Sequence, residues 1–428
     1  MATTKTRDLA IHGGTPVRGK DSPLPQRLPQ EVNPKAKEYF SQLVDSGLQE
    51  NFLGRFEKEF GKLLGVKHVV GIANCTAACH TALAAAGVGP GDEVVAAPVT
   101  DYGTIYGIIA QRAIPVFADV NPLNGNVTGE SVEKVTTKKT RAIIIVHMAG
   151  IPCDMDPILD VAKQHGLPVI EDCCQAHLAT YKGRITGTIG DIGCFSFDTG
   201  KLLSVLTGGA AVTNDAEYAA RLMNFAGSRG SYGEGSDYGR RHKVLGMNYR
   251  FDSVRAALAL AELEVLPQQI ARRKAITKRL TALLSRIDGI IPCPVPDNSE
   301  SVYWIYPFIV EIEKFTVGLH QFADAIGAEG LNPRAVKGCY RSPAPWPFYA
   351  VCDSFDFLND LRFTYTAGAQ PGGPSDTYLS REYSVAMTPN AKWYVDHMLS
   401  WLFTHKYSDR DIADIAEMIR KAADAYRR

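Results

Sequence analysis

Apolar positions in this chain follow two periods, and where each holds decides what can be predicted. A helical pattern is expected over 34–44. A second follows, in which Phe52, Phe56 and Phe60 recur with Leu63 and Leu64 until Gly65 stops it. From Val69 short β-branched runs take over, at 69–72, 93–95, 114–117, 142–146 and 168–170. Helical patterns separate several of them, at 81–86, 103–110 and 157–165. Continuous apolar strands spaced by helices predict a parallel sheet buried on both faces. The alternation stops after Phe195 and the run Ala210, Ala211, Val212. An alanine-rich helix is expected over 253–266. The segment from Ala271 onward reads as α+β, with a strand over 304–312 and a closing helix over 409–426.

The expected architecture is therefore α/β, a large domain built on a mostly parallel sheet followed by a smaller C-terminal α+β domain. The boundaries read as an N-terminal arm over 1–50, the large domain over 51–270 and the small one over 271–428. Up to about residue 30 the chain is rich in Gly and Pro and reads as an arm on the surface. Residues 343–395 carry Pro, Gly, aromatics and Asp without periodicity, a loop either functional or partly mobile.

Composition narrows the function by exclusion. With 428 residues, 45% of them hydrophobic, the chain can bury a large core. Lys plus Arg and Asp plus Glu each number 46, so the formal net charge is zero. That balance supports neither a nucleic-acid nor a membrane partner. The nine cysteines are scattered, and Cys173 and Cys174 are adjacent, unlike a CxxC knuckle. Reduced thiols, a cytoplasmic location and no metal are expected. The N-terminus leads into no apolar h-region.

The chemistry clusters at strand ends. The strand at 168–170 runs into Glu171 and Asp172, and ligands of open α/β sheets bind outside such carboxyl ends. Ser196 and then Lys201 follow the next strand, ahead of Thr207, Gly208 and Gly209. An apolar strand ending in a carboxylate, then a strand delivering a serine and a lysine, suits pyridoxal 5'-phosphate. The lysine forms the Schiff base, the aspartate keeps the pyridine nitrogen protonated and the serine helps hold the phosphate. Asn74, Cys75, Thr76 and Ala77 open a helix after the first strand, a place that suits a phosphate, although Asn74 or Thr76 also reads as an ordinary N-cap. Gln175 and His177 could line the same crevice. Tyr102 reads equally as a ring-stacking aromatic or as a core or surface residue. Taken singly, a lone Asp or Lys is more often a surface group. The joint order of these residues is what carries weight. The glycine-rich, basic stretch 227–243 before Asn248, Tyr249 and Arg250 reads as a binding loop or a disordered hairpin.

Several segments resemble the DegT/DnrJ/EryC1/StrS family of aminotransferases, of aspartate-aminotransferase-like fold type I. They include Val116-Phe117-Ala118-Asp119-Val120, Glu171-Asp172-Cys173-Cys174-Gln175-Ala176-His177, 190–201 and Asn248-Tyr249-Arg250. The resemblance implies that Lys201 is the Schiff-base lysine and proton shuttle, Asp172 the partner of the pyridine nitrogen and Gln175 that of the ring oxygen. It puts Tyr102 at the ring-stacking position and Thr76, Ala77 and Ser196 at phosphate-binding positions. Asn248 would reach the phosphate in the neighbouring subunit, which implies a homodimer with shared active sites. The chain departs from the family pattern at Asn74-Cys75-Thr76, usually Ser-Gly-Thr, at Asp198, usually Gln, and at Leu206-Thr207-Gly208-Gly209, usually Gly-Glu-Gly-Gly. The implied activity is transfer of an amino group from glutamate or glutamine to a keto sugar or keto cyclitol. Arg229, Arg240, Arg241 and Arg250 are candidates for gripping the donor carboxylate. Dehydratase relatives replace the lysine with histidine, so Lys201 argues against that alternative. A non-catalytic cofactor- or sugar-binding member is the third reading.

Overall fold

The computed structural model describes residues 8–227, 229, 235–236, 239–240, 242, 244–331 and 383–428. Most of the stretch 343–395 therefore lies outside the described residues, as does most of the loop 227–243, with the side chains of Arg240 and Arg241.

Seven strands form the central sheet, in the order His68–Ile72, Gly209–Thr213, Ile192–Ser196, Val169–Asp172, Thr140–Val146, Glu93–Ala96, Ile114–Phe117. Every pairing from Ile192–Ser196 outward to Ile114–Phe117 is parallel, while Gly209–Thr213 runs antiparallel to both its neighbours. The apolar runs are continuous because helices cover both faces. The helix Cys75–Ala85 packs on Tyr102–Ala110 and Ala216–Ala226 on one side. On the other, Phe52–Leu64 packs on the helix Ser253–Leu284.

The phenylalanine repeat finds its partners there. Phe52, Phe56 and Phe60 are each at most 1% exposed, capped by Asn51 and stopped by Gly65 in the left-handed region. Phe56 meets Phe197 edge-on at 5.3 Å and Phe60 meets Phe195 at 5.3 Å. Because strand side chains alternate, anchoring Phe195 and Phe197 on this face turns Cys194 and Ser196 to the other.

Two expectations are corrected. The helix expected to stop at Leu266 runs unbroken from Ser253 to Leu284, through Pro267, so residue 270 falls inside it. An interior proline costs about 3 kcal/mol, but burial on both flanks outweighs it. Leu260, Leu263 and Leu266 join the phenylalanine core, and Ile276, Leu280 and Leu284 the core of the second sheet. That sheet is antiparallel, Ile290–Pro292, Ile305–Val310, Met398–Leu402, backed by the helices Leu319–Ala328 and Asp409–Tyr426. Nor does the arm simply lie on the surface. Leu9 and Leu24 are buried, and the carboxylate of buried Glu329 accepts the backbone N–H groups of Ala10 and Val17 at 2.8 and 3.1 Å. No helix among the described residues is long and apolar enough to cross a membrane.

Candidate active site

At the carboxyl ends of the parallel strands lies a pocket of about 340 Å³, walled by Thr76, Asp172, Cys174, Ser196, Asp198 and Lys201 among others. Four separate stretches of chain meet there. Asp172 closes the strand Val169–Asp172 and is 2% exposed. Its Oδ2 accepts the Thr104 hydroxyl at 2.7 Å and its Oδ1 the N–H of Cys174 at 3.0 Å. Thr104 and Thr100 share a further hydrogen bond of 2.7 Å.

Thr76 sits in the first turn of the helix Cys75–Ala85, whose N-cap is Asn74. Asn74 Oδ1 accepts the Ala77 N–H at 2.8 Å, so the ordinary capping role is present and Ala77 offers that N–H already engaged. Gly209 sets this turn: a Cβ there would lie 2.6 Å from the carbonyl carbon of Asn74. Only a residue without a side chain lets the strand approach so closely.

Lys201 follows Gly200, which takes a left-handed φ of +79°. Its N–H donates to the Asp198 carbonyl at 3.0 Å, and its Nζ lies 4.2 Å from the centre of the Trp304 ring. The indole N–H of Trp304 donates to the Gly200 carbonyl at 2.8 Å. The segment bearing Trp304 is pinned in turn by buried Arg273, which donates to the carbonyls of Val302, Tyr303 and Phe403. Burial pushes the Arg273 guanidinium down to about 9. On the far side of Lys201 a smaller cavity, about 70 Å³, is lined by Arg27, Gln30, Arg273, His405 and Lys406.

The structure thus brings together Thr76, Asp172, Ser196 and Lys201. Tyr102 begins the helix Tyr102–Ala110 beside the pocket, with Asp101 and Gly103 on the wall and its ring 6.4 Å from that of Tyr106. Gln175 is buried with its Oε1 accepting the Ala149 N–H at 2.7 Å. His177 packs edge-on to Phe195 at 5.4 Å, and burial with the nearby Lys201 charge pushes its imidazole down to about 3. Asn248 is exposed, its Oδ1 accepting Arg250 Nε at 2.7 Å, and neither wall of the pocket includes it. Asp198 and Thr207 both do face the pocket.

Thr104, Trp304 and Arg27 were not singled out from sequence. Thr104 follows Tyr102 by two residues and gave a weak helical signal at most. Trp304 and Arg27 come from segments whose meeting with Lys201 only the fold arranges.

A buried carboxylate at the centre of a parallel sheet, facing a lysine in a loop at the strand ends, belongs to the aminotransferase class of folds. An aminotransferase from Psychrobacter cryohalolentis superimposes with a TM-score of 0.75 at 27% identity, over 93% of this chain and 97% of that one. The model of the DegT/DnrJ/EryC1/StrS aminotransferase family matches residues 32–344, and the chain belongs to that family. A GDP-perosamine synthase of Caulobacter vibrioides is 38% identical over 305 residues, 71% of this chain and 80% of the relative. An L-glutamine:2-deoxy-scyllo-inosose aminotransferase of Streptoalloteichus tenebrarius is 33% identical over 314 residues, 70% of this chain and 73% of the relative.

Proposed function

We propose that this protein is a pyridoxal-phosphate-dependent aminotransferase that converts a keto sugar or keto cyclitol to the amine, with glutamate or glutamine as donor. The observation that carries the reading is the meeting, in one pocket, of Lys201, the buried Asp172 carboxylate, Ser196 and the helix turn at Thr76. This donor set fits the cofactor. A carboxylate suits the ring nitrogen, hydroxyls at a helix N-terminus suit the phosphate, and an amine between them suits the carbonyl carbon.

When bound, the cofactor supplies an electron sink conjugated to the amine being transferred. Asp172, itself held by Thr104 and the Cys174 N–H, would hold the proton on the ring nitrogen. Ser196 and Thr76 would hold the phosphate end, and Gly209 keeps the turn bearing Thr76 in place. Lys201 Nζ would carry the proton from the α-carbon of the donor to the cofactor, and in the second half-reaction from the cofactor to the carbon of the acceptor. The family relatives above support a sugar or cyclitol acceptor, and the relative named for L-glutamine favours that donor. Tyr102 over the ring, Gln175 at the ring oxygen, the Ala77 turn at the phosphate and Asn248 in a homodimer partner's site complete the proposed arrangement. The expected cytoplasmic location accords with this reading.

Purified protein given pyridoxal phosphate should absorb in the visible, bleach with glutamate or glutamine, and lose the band in Lys201→Ala. Protein that takes up no cofactor would overturn the proposal.

A further inference from the structure

Thiols crowd the Asp172 carboxylate, one at each oxygen. Cys75 and Cys79 lie one helical turn apart on Cys75–Ala85, so both sulfurs reach the same carboxylate. Cys75 Sγ stands 3.9 Å from Oδ1 and Cys79 Sγ 3.7 Å from Oδ2. One oxygen and the two sulfurs all fall within 4.8 Å of one another. Cys194 pairs with Asp172 across the sheet. Cys75, Cys79, Cys174 and Asp172 all line the pocket, which gives an ion a route in.

We propose that Cys75, Cys79 and Asp172, with water completing the coordination from the pocket, bind a soft divalent cation of the Zn²⁺ or Cd²⁺ class. Tetrahedral zinc with Zn–S near 2.3 Å and Zn–O near 2.0 Å needs ligand atoms about 3.8 Å apart for S to S and about 3.5 Å for S to O. Each sulfur lies within a few tenths of an ångström of that spacing from its nearer carboxylate oxygen, Oδ1 for Cys75 and Oδ2 for Cys79, and both fall within 4.8 Å of a single oxygen, so side-chain rotation must close the set. Two thiolates beside a carboxylate select a thiophilic ion over Mg²⁺ or Ca²⁺. A thiol must lose its proton to ligate the ion, so binding displaces protons and strengthens as pH rises.

The other close set, His147, Glu171 and Cys173, is unsuited. None of the three lines the pocket, and the Glu171 oxygens accept three N–H groups, from Gly187, Ile189 and Gly190, besides facing the His147 ring, where Asp172 accepts one hydroxyl and one N–H. Because Asp172 serves both the ion and the ring nitrogen, the two ligands exclude each other, a consequence that rests on the function proposed above.

The test is titration of the full-length protein with Cd²⁺, with and without pyridoxal phosphate, followed by the ultraviolet thiolate-to-metal band and by proton release. One Cd²⁺ per chain is expected, bound at least about tenfold more weakly in Cys79→Ser and in Cys75→Ser and unchanged in Cys173→Ser. Circular dichroism checks that each variant is folded, and the less buried Cys75 provides a second variant if Cys79→Ser is not. No thiolate band, or unchanged affinity in both serine variants, overturns the site. Saturating pyridoxal phosphate should weaken Cd²⁺ binding. Simultaneous binding of both would remove Asp172 from the ligand set, while cofactor uptake without any metal binding would sink the metal site and leave the aminotransferase reading standing.

Discussion

Replacing Thr104 with valine removes one hydroxyl and leaves the volume nearly unchanged. Thr104 is 2% exposed, and its hydroxyl donates to Asp172 Oδ2 at 2.7 Å. A hydrogen bond to a charged group contributes about 1.5–3 kcal/mol, and each 1.36 kcal/mol is a factor of ten. If Thr104 holds the carboxylate in position for the ring nitrogen, Thr104→Val should lower the combined cofactor affinity and half-reaction rate by about 10- to 150-fold. Thr100→Val removes a group that touches Thr104 but has no bond to Asp172, and should cost only a few-fold. The assay is stopped-flow absorbance of the donor half-reaction at several cofactor concentrations, with thermal melting of each variant as a control for folding. Asp172→Asn sets the scale for complete loss. A Thr104→Val protein within twofold of wild type in both affinity and rate, beside an inactive Asp172→Asn, would refute the positioning role.

Two further outcomes are expected. Gly209→Ala forces a Cβ to within 2.6 Å of Asn74. Overpacking of this kind costs about 1–3 kcal/mol, and fluorescence titration should show pyridoxal phosphate held at least about fivefold more weakly. At Glu171, burial pushes the carboxyl up, but His147 and the loop N–H groups outweigh it and leave the group below its ordinary value of 4.5. The stability it contributes is then complete above that value and is lost as pH falls through the folded-state value. Urea melts across the acid range should lose stability below about pH 4.5 in wild type, with a shallower slope in Glu171→Gln.

Much of this protein could be read in the chain alone, where the signal is local. Periodicity over a few residues located the parallel strands, the Phe52, Phe56 and Phe60 helix and the closing helix, because backbone geometry repeats every 2 or 3.6 residues. The order of Asp172, Ser196 and Lys201, with Thr76 upstream, pointed to one pocket, since successive parallel strands end on the same edge of a sheet. What tertiary structure alone decided involves partners distant in sequence. Burial on both flanks carried the long helix through Pro267, against the local rule that ended it at Leu266. Glu329 drew the N-terminal arm onto the opposite end of the chain. That Thr104 supports Asp172, that the Trp304 ring lies over Lys201 and that thiols meet at the carboxylate could not be read from sequence, because each depends on elements brought side by side only when the core closes. A sequence states which groups are available; packing fixes the few ångströms between them, and the chemistry of the site resides in those distances.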